Sequence, residues 1–551
     1  MADKDMSLTR QEALADTGGQ QADEAPAPSG GISQSTALMS VLVVVSRITG
    51  FVRTFAQAWA IGATVLASCY EVANNLPTQI YELVTAGMLV TAFLPVYVSV
   101  KKRLGTKGAN DYASNLVSIV VVLTGIITLV SVVFAAQIIW TQSFSATDEF
   151  DFDRATWFFR FFAIEIVLYA LSTIFSGVVN AERDYLWSYA APIFNNLVVT
   201  ASFLGYGLLS ESNPTLALVI LALGNPLGVL VQVLLQIPPM HRHGVRLRWH
   251  IDLSDPALKD TLQIGVPSIV TLVAAFVTSS FQTSAVLSVT AIGASLAYYA
   301  HLWFILPYSV LAVPVTTALF TELSDYYAQG DMGSFRTTVA TGTSRILFFL
   351  VPFSFYLVVF AEPLLTIDTF GNVEADALTL AAVYLCGRVP SLTVYGVGMY
   401  LQKVCSATRK MGLYAIGTIV GSLVQVVLLQ TLTPYFGLWF VPFTSTIFYL
   451  VFDVILFVAL RRDLGPLGIR SMLGGFLRSL LVGCAGAAAG WAILQAFAAV
   501  SGPIDGSVMR ALVRTVAGGV PALIVTYGLA ALLRMPEAAA LSSIVARFRR
   551  R

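Results

Sequence analysis

The sequence predicts an all-α polytopic membrane protein, and three observations carry that reading. Only 11% of the 551 residues are charged while 56% are hydrophobic, against about 25% charged in an ordinary soluble protein. Mean hydropathy is +0.77. Apolar stretches long enough for a hydrocarbon core of about 30 Å begin near residues 37, 66, 110, 154, 187, 215, 260, 294, 337, 376, 410, 436, 471 and 508. Fourteen transmembrane helices are expected.

Residues 1–36 precede the first span. They combine six acids and two bases with Gly, Pro and Gln, and lack the basic start and apolar core of a signal peptide. Such a stretch buries too little apolar surface to fold, so a disordered cytoplasmic tail is expected. The connections then fix the orientation. Even-numbered ones carry Lys101, Lys102, Arg103 and Lys107; Arg183; Arg242, Arg246, Arg248 and Lys259; Arg336; Lys403, Arg409 and Lys410; and Arg461, Arg462 and Arg470. Odd-numbered ones carry only Arg154 and Arg510, and two are acidic, "ATDEFDFD" at 146–153 and Glu362 through Asp376. Basic residues gather on the cytoplasmic side of short loops. Both termini are therefore expected in the cytoplasm.

The two halves share a plan. "IGATVLASCYEVANNLP" at 61–77 resembles "IGASLAYYAHLWFILP" at 292–307, and Leu89, Thr91 and Tyr97 match Leu319, Thr321 and Tyr327 at an offset of 230. The copies open spans 2 and 8, so they cross the membrane in the same direction. A parallel repeat follows: a first lobe at 37–240 (spans 1–6), a basic linker at 241–259, and a second lobe at 260–465 (spans 7–12). Spans 13 and 14 occupy 466–535, and a basic cytoplasmic tail at 536–551 ends in "RFRRR". Two such lobes face to face enclose a central cavity, the arrangement used for alternating access.

Polar residues within spans mark that cavity. Arg47 and Arg53 interrupt "VLVVVSRITGFVRTFAQAWAIGA" at 41–63, although an arginine near the bilayer centre costs roughly 2.5–3.5 kcal/mol. Glu71, Asn75, Gln79 and Glu82 fall on one face of span 2 at helical spacing. Two readings stay open: Glu71 or Glu82 neutralises an arginine as a buried ion pair, or the arginines form a cationic floor for an anionic head group. Glu165, His301, Arg388 and Asp453 are further candidates for a cavity wall or a coupling site. Arg160 lies nearer the end of its span. No G-x-x-x-x-G-K-[ST] loop, H-E-x-x-H motif or Ser/His/Asp arrangement occurs, so neither ATP hydrolysis nor an enzyme is indicated. Cys69, Cys386, Cys405 and Cys484 stand singly, without metal-ligand spacing. No metal site, cofactor or nucleic-acid partner is expected.

The motifs "SRITGFVR" at 46–53, "IGA" at 61–63, "NLP" at 75–77, Gly87 and "AFLPVY" at 92–97 resemble the MurJ/MviN lipid II flippases of the multidrug/oligosaccharidyl-lipid/polysaccharide exporter superfamily. "RFFAIEIVLYALSTIFSGVVN" at 160–180, "APIFNN" at 191–196 and "YYAHLWFILPYSVLAVPVTTALFTELS" at 298–324 extend the likeness. The resemblance implies a bacterial inner-membrane flippase that carries an undecaprenyl-diphosphate-linked peptidoglycan precursor to the outer leaflet. Arg47 and Arg53 then match cavity arginines that hold the diphosphate, for which a planar, permanently charged guanidinium is suited. Spans 13 and 14 offer a groove for the lipid tail. Other family charges are absent: an acid falls on Ser68, an arginine pair on Tyr81 and Glu82, a further acid on Ala86, and a charged triplet on His301, Leu302 and Ile305. Spans 7 and 11 lack an acid for a sodium site, leaving membrane potential or a monovalent cation as the drive. Alternatives are an exporter of another polyprenyl-linked saccharide, a drug exporter, or a non-transporting scaffold that recruits cell-wall synthesis proteins.

Overall fold

The computed structural model describes residues 29–86, 93–258, 261, 269–502, 504 and 506–538, and among them there is helix but no strand. The first lobe comprises α1 (Ser29–Ile61), α2 (Val65–Tyr81), α3 (Phe93–Val133), α4 (Ala135–Ser143), α5 (Phe152–Phe162), α6 (Glu165–Ala181), α7 (Tyr185–Leu209) and α8 (Pro214–Arg242). The second comprises α9 (Ile269–Val289), α10 (Gly293–Pro307), α11 (Val313–Gln329), α12 (Met332–Val359), α13 (Ala361–Asp368), α14 (Ala375–Arg388), α15 (Pro390–Ala407), α16 (Met411–Phe436) and α17 (Phe440–Leu464). Two helices follow, α18 (Ile469–Ser501) and α19 (Val508–Leu532).

Among the described residues twelve helices are long and apolar enough to cross a membrane, or thirteen spans when the bent pair α14–α15 counts as one. The sequence led to fourteen. The difference is α2, a 17-residue helix carrying Glu71 and Asn75, which runs into a π-helical turn at Glu82–Ala86 where the described segment stops.

The internal repeat is visible element by element. The π-helical turns Glu82–Ala86 and Tyr308–Ala312 correspond, as do the helix breaks after Phe162 and Arg388 and those at Phe134 and Phe360. So do the left-handed residues Arg183 (φ 61°) and Arg409 (φ 56°), and each of these pairs is 226 residues apart. The register of 230 read from the sequence is corrected by four residues, about one helical turn. A one-turn slip keeps nearly the same face, so the apolar pattern alone does not expose it. Tyr97 accordingly corresponds to Leu323, both fully buried, rather than to half-buried Tyr327. Leu89, Thr91, Gly87, Ala92 and Lys259 lie outside the described residues.

Both tails need correction. Residues 1–28 lie outside the described residues, but α1 already begins at Ser29, so 29–36 are helical rather than a disordered tail. Propagating a formed helix fixes one residue per new hydrogen bond, so the apolar run that follows carries a polar start with it. At the other end, Pro536–Ala538 form a 3₁₀ turn that is packed, not free. Met535 is buried against Phe348, Phe349 and Val482, and Arg478 pairs with Glu537 at 2.5 Å. "RFRRR" lies outside the described residues.

The basic linker is pinned to α3. Ser114 and Ser118 hydroxyls accept from the backbone N–H of Arg248 and His250, each at 3.0 Å. Asn115 both accepts from the Asp252 N–H (2.7 Å) and donates to its carbonyl (2.8 Å). Within the second lobe, Gly387 lets α14 reach the start of α17. A Cβ there would lie 2.0 Å from the Trp439 carbonyl oxygen. Gly387→Ala is therefore expected to destabilise the protein by about 1–3 kcal/mol, read as a lower thermal-unfolding midpoint of the purified chain. An unchanged midpoint would contradict this packing.

Candidate functional site

The lobes are stitched together from the acidic-loop end to mid-span. The Ser295 N–H donates to Ser68 Oγ (3.1 Å), and Tyr299 Oη to the Gly62 carbonyl (3.0 Å). Residues 68 and 295 are equivalent positions of the repeat to within one residue, and both are fully buried. Two small, fully buried side chains thus meet at a position where the family resemblance calls for an acid in the first lobe. Gln142 donates to Ser280 Oγ (2.6 Å), the Ser145 N–H to Ser284 Oγ (2.8 Å), and Gln79 to Ser279 Oγ (3.2 Å).

Beside this seam lies a cavity of about 230 Å³ lined from both lobes, with Asn75 and Gln142 on one side and Ser279, Gln282, Tyr298, His301, Tyr384 and Arg388 on the other. Three sequence-predicted residues meet here: Asn75, His301 and Arg388. Gln79 reaches its edge through Ser279. The hydroxyls of Tyr298 and Thr54 lie 3.3 Å apart, and Arg53, half-buried on α1, has Tyr298, Tyr70 and Glu71 as electrostatic neighbours.

Arg388 is placed by a broken helix. Pro390 has no N–H to donate and its ring crowds the carbonyl four residues back, so α14 ends before it, and α15 leaves at 43°. Arg388 thus sits in the last turn of α14, where the helix dipole favours a cation. The Ser391 hydroxyl donates to the Arg388 carbonyl at 2.7 Å, satisfying backbone that the break would leave bare in lipid. The guanidinium donates to Ser445 Oγ (2.7 Å) and lies 4.7 Å from the Phe304 ring centre. Among the described residues no carboxylate lies within 4.0 Å of it, nor of Arg47 or Arg53. The ion-pair reading of Arg47 and Arg53 is therefore not realised.

Arg47 is exposed. It lies seven residues before Thr54, which puts the two on one face to within about 20° and roughly 10 Å apart. Since Thr54 meets Tyr298 of the other lobe, Arg47 lies on the interlobe side, toward the basic-loop end. Glu71 is buried and accepts from Gln57 at 2.5 Å, its other oxygen without a hydrogen-bond partner among the described residues. It faces α1 rather than the cavity. Glu82 is exposed on its π-helical turn. Glu165 and Asp453 are not among the cavity-lining residues: Glu165 is fully buried beside Tyr169 and Tyr70 inside the first lobe. Asp453 lines an apolar groove of about 720 Å³ together with Val394, Leu401, Phe457, Met472 and Phe476, with Arg461 and Arg462 also on its wall. Span 13 contributes to that groove through α18, whereas α19 does not line it.

Sequence reasoning missed Tyr298, Tyr384, Ser279, Gln282 and Ser445. A signal existed for two of them: "TSSFQTS" at 278–284 is a polar cluster inside an otherwise apolar span.

The family model described as lipid II flippase MurJ matches residues 57–509. The chain is 20% identical over 434 residues to a probable lipid II flippase MurJ of Borreliella burgdorferi, covering 78% of this chain and 83% of that one. It is 24% identical over 374 residues to the lipid II flippase MurJ of Burkholderia cenocepacia, covering 66% and 69%. Its fold matches a solved lipid II flippase MurJ in an inward closed conformation, with TM-score 0.71, 16% identity, and 90% and 99% coverage. It also matches an inward-facing multidrug resistance MATE family transporter, with TM-score 0.64, 14% identity, and 77% and 98% coverage. The same two-lobed plan thus underlies all of them, and with most of its length matched by the family model, the chain belongs to the lipid II flippase MurJ family.

Proposed function

We propose that this chain moves undecaprenyl-diphosphate-linked lipid II from the inner to the outer leaflet of the bacterial cytoplasmic membrane by alternating access. The observation that carries the reading is a cavity between two repeat lobes, walled by Arg388, with Arg53 an electrostatic neighbour of its lining residue Tyr298, and among the described residues neither cation has a carboxylate within 4.0 Å. A diphosphate supplies the missing anion. Arg47, on the interlobe side toward the basic-loop end, is the first cation met by a head group entering from that end.

With the basic loops and both termini in the cytoplasm, as the positive-inside rule supports, the stitched acidic-loop end is the outer one. The described conformation is then sealed outward, and transport requires the Ser68–Ser295 and Tyr299–Gly62 contacts to part. An outward-moving diphosphate carries negative charge away from a negative interior. A potential of 100 mV favours that by about 2.3 kcal/mol per charge crossing the full membrane, so the membrane potential is the proposed drive. The groove beside α18 is proposed to take part of the lipid tail.

The test is leaflet-specific lipid II accessibility in cells depleted of their own flippase, at matched membrane levels. The unaltered chain is expected to restore outer-leaflet lipid II, and collapsing the potential to slow it. Arg53→Ala/Arg388→Ala is expected to lower it at least tenfold, at a membrane level matched to that of the unaltered chain. Restoration by both versions would overturn the arginine grip. Failure of the correctly inserted unaltered chain would overturn lipid II as cargo, in favour of another polyprenyl-linked saccharide. In a background without the four native cysteines, crosslinked Ser68→Cys/Ser295→Cys is expected to stop transport reversibly. Unimpeded transport by the crosslinked protein would contradict opening at that seam.

A further inference from the structure

The acidic-loop end of the seam has a second closure, formed where α13 ends. Its last residue, Asp368, lies in the acidic connection between spans 9 and 10 and precedes a turn with two left-handed residues, Phe370 (φ 52°) and Gly371 (φ 72°). That turn carries residues 370–372 across to the first lobe. The Phe370 ring lies 6.0 Å from that of Phe55 on α1, and a Cβ on Gly62 would sit 3.6 Å from the Asn372 carbonyl oxygen. Behind the turn, a Cβ on Gly371 would come 2.1 Å from the Gly506 carbonyl oxygen. Asp368 is 1% exposed, and neither of its carboxylate oxygens has a hydrogen-bond partner among the described residues.

The neighbours of Asp368 do not offset that burial. Among the described residues no basic nitrogen lies within 4.0 Å of its carboxylate. α13 packs against α1, α10, α12, α14 and α19. From α10, Tyr298 and Tyr299 are electrostatic neighbours of Asp368, phenols whose ordinary pKa of about 10 leaves them uncharged. Both tyrosines also feel Glu71, and Tyr298 feels Arg53 of α1. His301, Tyr384 and Arg388 line the central cavity instead. On α12, Tyr356 bonds to Thr526, Arg336 donates to the Leu464 carbonyl and Arg345 is exposed. On α19, Arg514 donates to the Gly502 carbonyl, Tyr527 packs on Phe348, and Arg510 is exposed, as are Glu362, Glu374 and Asp376. The last turn of a helix also disfavours an anion. A buried carboxyl so placed keeps its proton, and burial pushes that of Asp368 up to about 8. The repeat supplies an independent comparison. Gln142 of α4 holds the equivalent position 226 residues earlier, equally buried, and bonds across the seam to Ser280. A neutral amide thus occupies in one lobe the place that an acid occupies in the other.

We propose that Asp368 is a proton-binding site built into the outward seal: it holds its proton while the lobes are closed and releases it to the outer solution as they part. The assignment rests on outward opening at this seam, not on the identity of the cargo. Parting the lobes hydrates the carboxyl and returns it toward the ordinary aspartate value of about 3.9. The closed state therefore binds the proton more tightly, and acid favours closure. Between those two values each unit of rising pH shifts the balance about tenfold toward the open state. An acidic outer solution holds the transporter shut, and a neutral or alkaline one lets it open.

The test measures lobe separation in the full chain in nanodiscs, without cargo. Nitroxide labels on Asp148→Cys and Glu374→Cys, exposed positions in acidic connections of the two lobes, report the distance by pulsed electron resonance in a background without the four native cysteines. With Asp368 intact, the ratio of open to closed protein is expected to rise roughly fiftyfold from pH 6 to pH 8. Asp368→Asn, which mimics the protonated acid, should hold that ratio within twofold over the same range and stay closed at pH 8. The infrared carbonyl band of a protonated carboxylic acid should weaken in Asp368→Asn at pH 6, and in the unaltered protein as the pH passes about 8. A pH-independent ratio with Asp368 intact, or the same fiftyfold response in Asp368→Asn, would overturn the proton site and leave the flippase reading standing. Labels that never separate at any pH would overturn both the proton site and outward opening at this seam. If Asp368→Asn fails to fold, Asp368→Gln places the first lobe's own residue there, and the response of the unaltered protein decides on its own.

Discussion

A guanidinium inside a bilayer, with no carboxylate beside it among the described residues, is the constraint around which this protein is arranged. Arg388 is held by one hydroxyl, one aromatic face and the end of a helix, none of which cancels its charge. Pairing it with an acid would have lowered the cost of burial and removed the attraction for an incoming anion. The second lobe instead surrounds it with neutral donors and rings and opens it to a cavity. Arg53 sits in a comparable setting, except that Glu71 is near enough to act on it electrostatically. The two arginines come from opposite lobes, so an anion that engages both also spans the seam that must rearrange.

The repeat explains how a symmetric framework yields an asymmetric site. The breaks after Phe162 and Arg388 are equivalent positions, and each puts an ionisable residue at a helix end within the membrane. In the first lobe it is Glu165, in the first turn of α6; in the second it is Arg388, in the last turn of α14. The Arg388 charge matches the sign its helix end favours. The first is sealed inside its lobe and the second faces the shared cavity, so the same backbone device serves packing on one side and recognition on the other.

Much of the fold was legible because the bilayer restricts it so strongly. Span positions, the parallel repeat and the two appended helices follow from apolar length, loop charge and recurring motifs. The repeat register was misread by one turn because a four-residue slip preserves helical faces. The site was harder. Arg388 was singled out as an intramembrane charge, but its role depends on Pro390 and on Ser445, 57 residues away, which no local pattern connects. Arg47 and Arg53 were found by cost and resemblance, yet Asp453 and Glu165 stood out by the same cost and lie elsewhere. Intramembrane charge marks importance without saying which helix face looks at which neighbour. Tyr298 and Tyr384 read as ordinary apolar-span aromatics until the lobes are brought together.

The account's central claim is that Arg388, without a carboxylate beside it among the described residues, makes this cavity an anion site. Its most direct measurement is the affinity of the purified chain and of Arg388→Gln for undecaprenyl diphosphate and for uncharged undecaprenol of the same length. The account predicts that the wild type prefers the diphosphate by at least a hundredfold and that Arg388→Gln removes at least tenfold of that preference. Equal affinity for the two lipids, or a preference untouched by Arg388→Gln, would contradict it.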